Sequence, residues 1–301
     1  MTLRVLHFSD VHVQQPVRQL GLSALFSKRF IGGANLALHR AARFADAPAK
    51  LHQLDVFRRE QNVDVVVCTG DYTALGTEGE YALARRCIDP LTRAPAGFVT
   101  VPGNHDIYLD DCVEERRFER HFGDLVKNDW QDAAVDGPWP AVRLFGEHLA
   151  VVAVNTARPN PSPINSGGEL PAAQLEALAR VLEDERLGDR WLFVATHYAP
   201  LREDGTPDTP HHGLDNADEL GALLSARPRT AWLHGHIHWR YAHPCAPGQR
   251  PWVFGAGSAT YRGREGLWLY EVADGRVRAI PGAYGPAGYR LEYGQALALT
   301  S

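Results

Sequence analysis

Sulfur is scarce in this sequence: one methionine and four cysteines in 301 residues. Cys68, Cys87, Cys112 and Cys245 are far apart and form no C-x-x-C pair, which points to reduced thiols in a cytoplasmic protein. No uninterrupted apolar run is long enough to span a bilayer. The opening MTLRVLHFSD has no apolar h-region or cleavage site, so secretion is not expected. A basic excess is also missing. Thirty-one Lys and Arg against 36 Asp and Glu leave a net charge of -5, which argues against a non-specific nucleic-acid binder. With 45% hydrophobic residues the chain is ordinary globular rather than disordered. Neither an internal repeat nor a low-complexity linker divides it, so residues 1–301 are expected to form a single domain.

What is present is a recurring pattern. LRVLHFSD, VDVVVCTGD, GFVTVPGNHD, RWLFVATHYAP and TAWLHGHIH are short apolar runs that end in a polar cluster, as buried strands feeding loops do. Helical stretches lie between the first four: PAKLHQLDVFRREQN, EGEYALARRCIDPL, DDCVEERRFERHF and PAAQLEALARVLEDE, with Pro171 at the first turn of the last. A second group of strands is predicted at AVRLF, LAVVAVNT, RPWVFGAGSA, GLWLYEVA and RVRAIPG, with a hairpin turn at Asp274-Gly275. Alternating strands and helices followed by hairpins suggest two packed sheets flanked by helices.

The strand endings carry the chemistry. Asp10 and His12 follow the first run and Asp71 the second. Asn104, His105 and Asp106 follow the third, His197 the fourth, and His236 with His238 the fifth. In LHGHIHWR the spacing would put His234, His236 and His238 on one face of a strand. Ligands of open α/β sheets bind beyond the carboxyl ends of the strands, so all these clusters are aimed at one place. Asp10, His12, Asp71, Asn104, His197, His236 and His238 are too many ligands for one tetrahedral zinc and too rich in nitrogen for calcium or a bare magnesium site. The mixture suits two adjacent ions of manganese, iron or zinc, with one carboxylate bridging. Such a centre attracts a phosphate anion and supplies the hydroxide that attacks it.

DVH at Asp10, GDY at Gly70, GNHD at Gly103, the lone His197 and GHIH at Gly235 resemble, in order, the five motifs of the calcineurin-like metallophosphoesterases. The resemblance implies a four-layer α/β/β/α sandwich of two mixed sheets and a two-metal site. It places Asp10, His12, Asp71 and His238 on one ion, and Asp71, Asn104, His197 and His236 on the other. His105 becomes the non-ligand histidine near the leaving group, steadied by Asp106. Within the family the sequence is most similar to the class III cyclic nucleotide phosphodiesterases, including the run from Asn155 through GGELPAAQLEAL. It departs at Tyr198, where many members carry a second histidine.

The expected activity is hydrolysis of a small nucleotide-like phosphodiester by a hydroxide that bridges the metals. A phosphomonoesterase or pyrophosphatase on a nucleotide- or lipid-linked substrate is the alternative, and a protein-binding scaffold the reading from outside enzymology. His234 is read as a strand or supporting residue rather than a ligand. His39, His52, His121, His148 and His243 lie away from strand ends and are read as ordinary. His211 and His212 are read as loop residues, with a place at the pocket mouth as the alternative. Arg262 and Arg264 are read as surface charge. The basic, apolar segment 17–44 is expected to cover the site, the alternative being a lid or interfacial segment that meets an apolar substrate portion or a membrane surface.

Overall fold

β-Branched and apolar runs pair into two sheets in the computed structural model, which describes residues 2–15, 41–160, 162, 165–245 and 251–299. Most of the expected covering segment, 17–40, lies outside the described residues. The strands are β1 Leu3–Phe8, β2 Val65–Cys68, β3 Gly97–Thr100, β4 Ala141–Phe145, β5 Leu149–Ala153, β6 Trp191–Ala195 and β7 Thr230–His234. They continue with β8 Arg240–Pro244, β9 Trp252–Ala256, β10 Gly266–Ala273, β11 Arg276–Gly285, β12 Gly288–Leu291 and β13 Leu297–Leu299. The helices are α1 Ala41–Phe44, α2 Ala47–Glu60, α3 Glu78–Ile88, α4 Asp110–Glu114, α5 Arg117–Phe122, α6 Ala172–Glu183 and α7 Ala217–Ser225.

One sheet runs β12-β11-β10-β1-β2-β3, with β13 also on β11; the other runs β4-β5-β6-β7-β9-β8. β1, β2 and β3 are mutually parallel, as are β5, β6, β7 and β9. Antiparallel strands close the edges at β4 and β8.

Alternation along the second sheet sorts its side chains between two cores. Leu149, Val151, Ala153, Phe193, Ala195, Ala231 and Leu233 point into the sandwich, where they share a core with Val65, Val67, Tyr270 and Val272. Ala150, Val152, Leu192, Val194 and Trp232 face the other way, against Leu178 and Val181 of α6 and Leu220 and Leu224 of α7. On the far side of the first sheet, Leu51, Leu54 and Phe57 of α2 and Tyr81, Ala84 and Ile88 of α3 complete the outer layer. The result is the expected α/β/β/α sandwich, with strands buried on both faces. That is why they read as continuous apolar runs.

The local differences have physical causes. The second group of strands divides: β4, β5 and β9 join one sheet, β10 and β11 the other. The hairpin between the last two turns at Asp274 and Gly275, both with positive φ (48° and 71°), as a two-residue turn of primed type requires. DDCVEERRFERHF is two short helices because Arg116 between them is left-handed, at φ 49°. Pro171 sits just before α6 rather than in its first turn. HGHIH is not a strand beyond His234: His236 and His238 have φ of 70° and 59°, so the two imidazoles meet through a folded turn and not by sharing a strand face.

Candidate metal centre

Loops after β1, β2, β3, β6 and β7 converge at one end of the sandwich and bring the seven expected ligands together. Backbone bonds tie the first two loops side by side: Asp10 N donates to Gly70 O (3.0 Å), His12 N to Asp71 O (2.9 Å) and Val13 N to Tyr72 O (2.9 Å). Five of the seven, Asp10, His12, Asp71, His236 and His238, have left-handed φ, between 45° and 70°. Such a conformation costs a non-glycine residue roughly 1–3 kcal/mol and persists only where the surroundings enforce it. Close packing does so here. A Cβ on Gly103 would lie 2.2 Å from Asp71 Oδ1, and one on Gly235 would lie 1.9 Å from Ser9 Oγ and 2.5 Å from Asp10 Oδ2.

The donor atoms form two groups that share Asp71. In the first, ligand atoms of Asp10, His12, Asp71 and His238 all lie within 4.8 Å of one another. His12 Nε2 is 3.0 Å from His238 Nε2, and 3.6 Å from both Asp10 Oδ1 and Asp71 Oδ2. In the second, Asn104 Oδ1 is 3.0 Å from both His197 Nε2 and His236 Nδ1, and His197 Nε2 is 3.4 Å from Asp71 Oδ2. Asp71 Oδ2 therefore stands between an imidazole of each group.

The ring orientations fit a cation. His197 Nδ1 donates to Thr69 O at 2.7 Å and His12 Nδ1 to Thr73 O at 3.2 Å. A carbonyl can only accept, so the proton stays on Nδ1 and each neutral ring aims the Nε2 lone pair inward, as a metal-ligating histidine must. Lone pairs and carboxylates crowded at about 3 Å repel unless a cation lies between them. His236 Nε2 is moreover buried without a hydrogen-bond partner, a costly arrangement in a protein interior.

Charge follows the same logic. Burial raises the Asp71 carboxyl, but His197 and His105 outweigh it and hold it far below the usual range. Burial opposes ionisation of Asp10 as well, and His238 and His12 again prevail. Burial lowers His197, yet Asp71 more than compensates and pushes it up to about 9, so an ion bound here takes the place of an Nε2 proton and leaves the neutral, ligating ring. His236 goes the other way, held neutral by burial and by the nearby His212 and His197.

The remaining residues fall into place around the ligands. His105 lines a cavity of about 270 Å³ with Asp71, Asn104, Ser166, His212, His236, His238 and Arg264. Its Nδ1 lies 2.6 Å from Ala74 O. Asp106 does not steady that ring, contrary to expectation. It is wholly buried, and its carboxylate accepts the backbone N–H groups of Asp71, Tyr72, Thr73 and Gly103 at 2.9–3.1 Å. It braces the loops instead. His234 is buried, with Nδ1 2.8 Å from Gly235 O, as a supporting residue.

Two readings of ordinary residues need correcting. The His212 ring lies 4.4 Å from that of His236 and is held by Asp208, whose Oδ2 is 2.6 Å from its Nδ1; it takes the alternative place at the pocket mouth. Arg262 is surface charge paired with Asp46, but Arg264 faces the cavity. At the described end of the covering segment, Phe44 is buried with its ring 4.7 Å from His12 and 6.1 Å from His238.

Comparison with known proteins agrees with this geometry. Residues 3–240 match the calcineurin-like phosphoesterase family, and the chain belongs to it. Over 194 residues it is 28% identical to the 3',5'-cyclic adenosine monophosphate phosphodiesterase CpdA of Pseudomonas aeruginosa. That match takes in 64% of this chain and 60% of the relative, so the chain spans less than two thirds of that protein's length. Among solved structures, a dimetal phosphatase from Danio rerio superposes with a TM-score of 0.65 at 13% identity, covering 99% of this chain and 98% of that one. Purple acid phosphatase PPD1 from yellow lupin superposes with a TM-score of 0.60 at 12% identity, covering 100% of this chain and 54% of that one. At such identities the two structures speak for the fold alone.

Proposed function

We propose that the chain is a cytoplasmic, dinuclear metal-dependent phosphodiesterase acting on a small nucleotide-like diester. The observation that carries this reading is the position of Asp71 Oδ2, 3.6 Å from His12 Nε2 and 3.4 Å from His197 Nε2, between two groups of donors. Asp10, His12, Asp71 and His238 would hold one ion and Asp71, Asn104, His197 and His236 the other, with manganese, iron or zinc suited to these donors. When bound, such ions neutralise the phosphoryl oxygens and lower the pKa of water to make a nucleophile. The resemblance to class III phosphodiesterases and the likeness to CpdA support a diester substrate.

The chain's own residues divide the remaining work. Thr69 O and Thr73 O orient two imidazoles, and Asp106 braces the backbone of Asp71. His105 lines the cavity with Nδ1–H on Ala74 O, and as the imidazolium it gives its Nε2 proton to the departing oxygen, returning to the neutral Nδ1–H ring. Phe44, whose ring lies 4.7 Å from that of His12, contributes to substrate choice.

The test is a substrate panel on protein reconstituted with Mn²⁺, Fe²⁺ or Zn²⁺: cyclic nucleotides, bis(nitrophenyl) phosphate, nitrophenyl phosphate and a nucleotide pyrophosphate. Hydrolysis of diesters above monoesters is the expected result. Monoester or pyrophosphate preference would replace the diester reading. A metal-loaded protein that hydrolyses none of them would leave a binding protein.

A further inference from the structure

Among the described residues, Arg264 is a cation without an ion-pair partner at the mouth of the metal pocket. Its guanidinium carbon lies 4.5 Å from the centroid of the Trp239 ring and 5.0 Å from that of Tyr261. Neighbouring charges are already matched: Arg262 pairs with Asp46 at 2.7 Å and Glu265 with Lys50 at 2.6 Å. Among the described residues no carboxylate lies within ion-pair distance of Arg264. It lines the same cavity as Asp71, Asn104, His105, His236 and His238.

We propose that Arg264, clamped between Trp239 and Tyr261, is the residue that binds the phosphoryl oxygens of the substrate and sets the affinity for anions. The inference rests on the proposed function and names the recognition side of the same site. Contact with aromatic faces fixes the plane of the guanidinium and leaves its edge N–H groups free for two oxygens of a tetrahedral anion. The clamp is built onto the metal loops. Trp239 directly follows His238, and the Tyr261 ring lies 5.6 Å from that of His238. Ser258 Oγ donates to Asp10 O at 2.7 Å, Ala259 N to Ser9 O at 2.7 Å and Thr260 Oγ1 to Val11 O at 2.6 Å. Tyr261 N then donates to Ser258 Oγ, and Arg264 N to Tyr261 O, both at 3.0 Å. The loop that carries the cation is thus stitched to the strand end that carries Asp10. Trp239 and Tyr261 are positioning residues that act through it.

The experiment measures binding of inorganic phosphate to metal-loaded protein, together with KM and kcat for bis(nitrophenyl) phosphate. Arg264→Gln should weaken phosphate binding and raise KM by about tenfold or more, the loss expected for one charge-assisted contact, with metal content unchanged. Trp239→Ala should raise KM several-fold with a smaller effect on kcat, and Trp239→Phe should restore most of it. Unchanged phosphate affinity and KM in Arg264→Gln would return the residue to surface charge. Wild-type protein that binds phosphate through Arg264 yet hydrolyses no ester would remove the hydrolytic function and keep this inference. Normal hydrolysis by both Arg264→Gln and Trp239→Ala would do the reverse.

Discussion

Asp106 holds Asp71 by the backbone: its Oδ2 accepts the Asp71 N–H at 2.9 Å and also that of Gly103 at 2.9 Å. Oδ1 takes the next two N–H groups, of Tyr72 at 2.9 Å and Thr73 at 3.1 Å. One buried carboxylate thereby binds the loop after β2 to the loop after β3, and with it the residue that joins the two donor groups. Replacing it by an amide leaves one oxygen for four donors and turns an N–H₂ toward N–H groups. Asp106→Asn is therefore expected to lower stability by on the order of 3 kcal/mol, read from urea midpoints at unchanged slope. Unaltered stability with selective loss of activity on alkyl diesters would mean that Asp106 acts through His105 after all.

His105 carries the second prediction. An alkoxide needs a proton as it departs, whereas nitrophenolate is already stable as an anion. His105→Ala should keep its metals and lose rate by about 10²–10⁴-fold on alkyl diesters, with a smaller loss on nitrophenyl esters. Equal losses on both would move His105 to charge stabilisation on the phosphoryl group. Lost metal would make it a ligand.

His7 gives a stability prediction for the metal-free protein. It is wholly buried on β1, with Nδ1 3.3 Å from Tyr270 Oη and Nε2 3.1 Å from Thr69 Oγ1. Burial, then the neighbouring His234, lowers its pKa from 6.5 to about 3. The unfolded chain binds a proton here below pH 6.5 and the folded chain does not. Stability is therefore full above pH 6.5 and falls as the pH drops from 6.5 toward about 3, by up to about 1.4 kcal/mol per pH unit from this residue. With chelator present throughout, the acid limb of His7→Gln should be shallower than wild type by up to that slope. Parallel limbs would show that His7 titrates normally in the fold.

How much of this was legible in the sequence differs by element. β1, β2, β3, β6 and β7 are readable because strands buried on both faces are largely apolar and stop where polar clusters begin. Since those stops carry the chemistry, the candidate ligands were readable with them. α7 was missed, although Asn216 before it and Leu220 with Leu224 within it gave a start signal and a spacing to find it by. The left-handed backbone at His236 and His238 left no mark: an alternating histidine pattern reads as a strand, and only contact with Ser9 and Asp10 across the fold forces the turn. The family resemblance assigns Asp106 to the His105 ring, whereas three of its four partners lie some 35 residues away on the loop after β2, a contact that sequence does not show. Arg264 was invisible for the same reason, since its position depends on a loop folding back across β1.

The central claim is that two cations share Asp71, and metal stoichiometry tests it most directly. Wild type and Asp71→Ala should be reconstituted with Mn²⁺ or Zn²⁺, passed free of excess metal, and measured by elemental analysis, with His12→Ala as the comparison. The account predicts about two ions per wild-type chain, loss of both tight sites without Asp71, and weakening of mainly one without His12. An Asp71→Ala chain that still held two tight ions would contradict it.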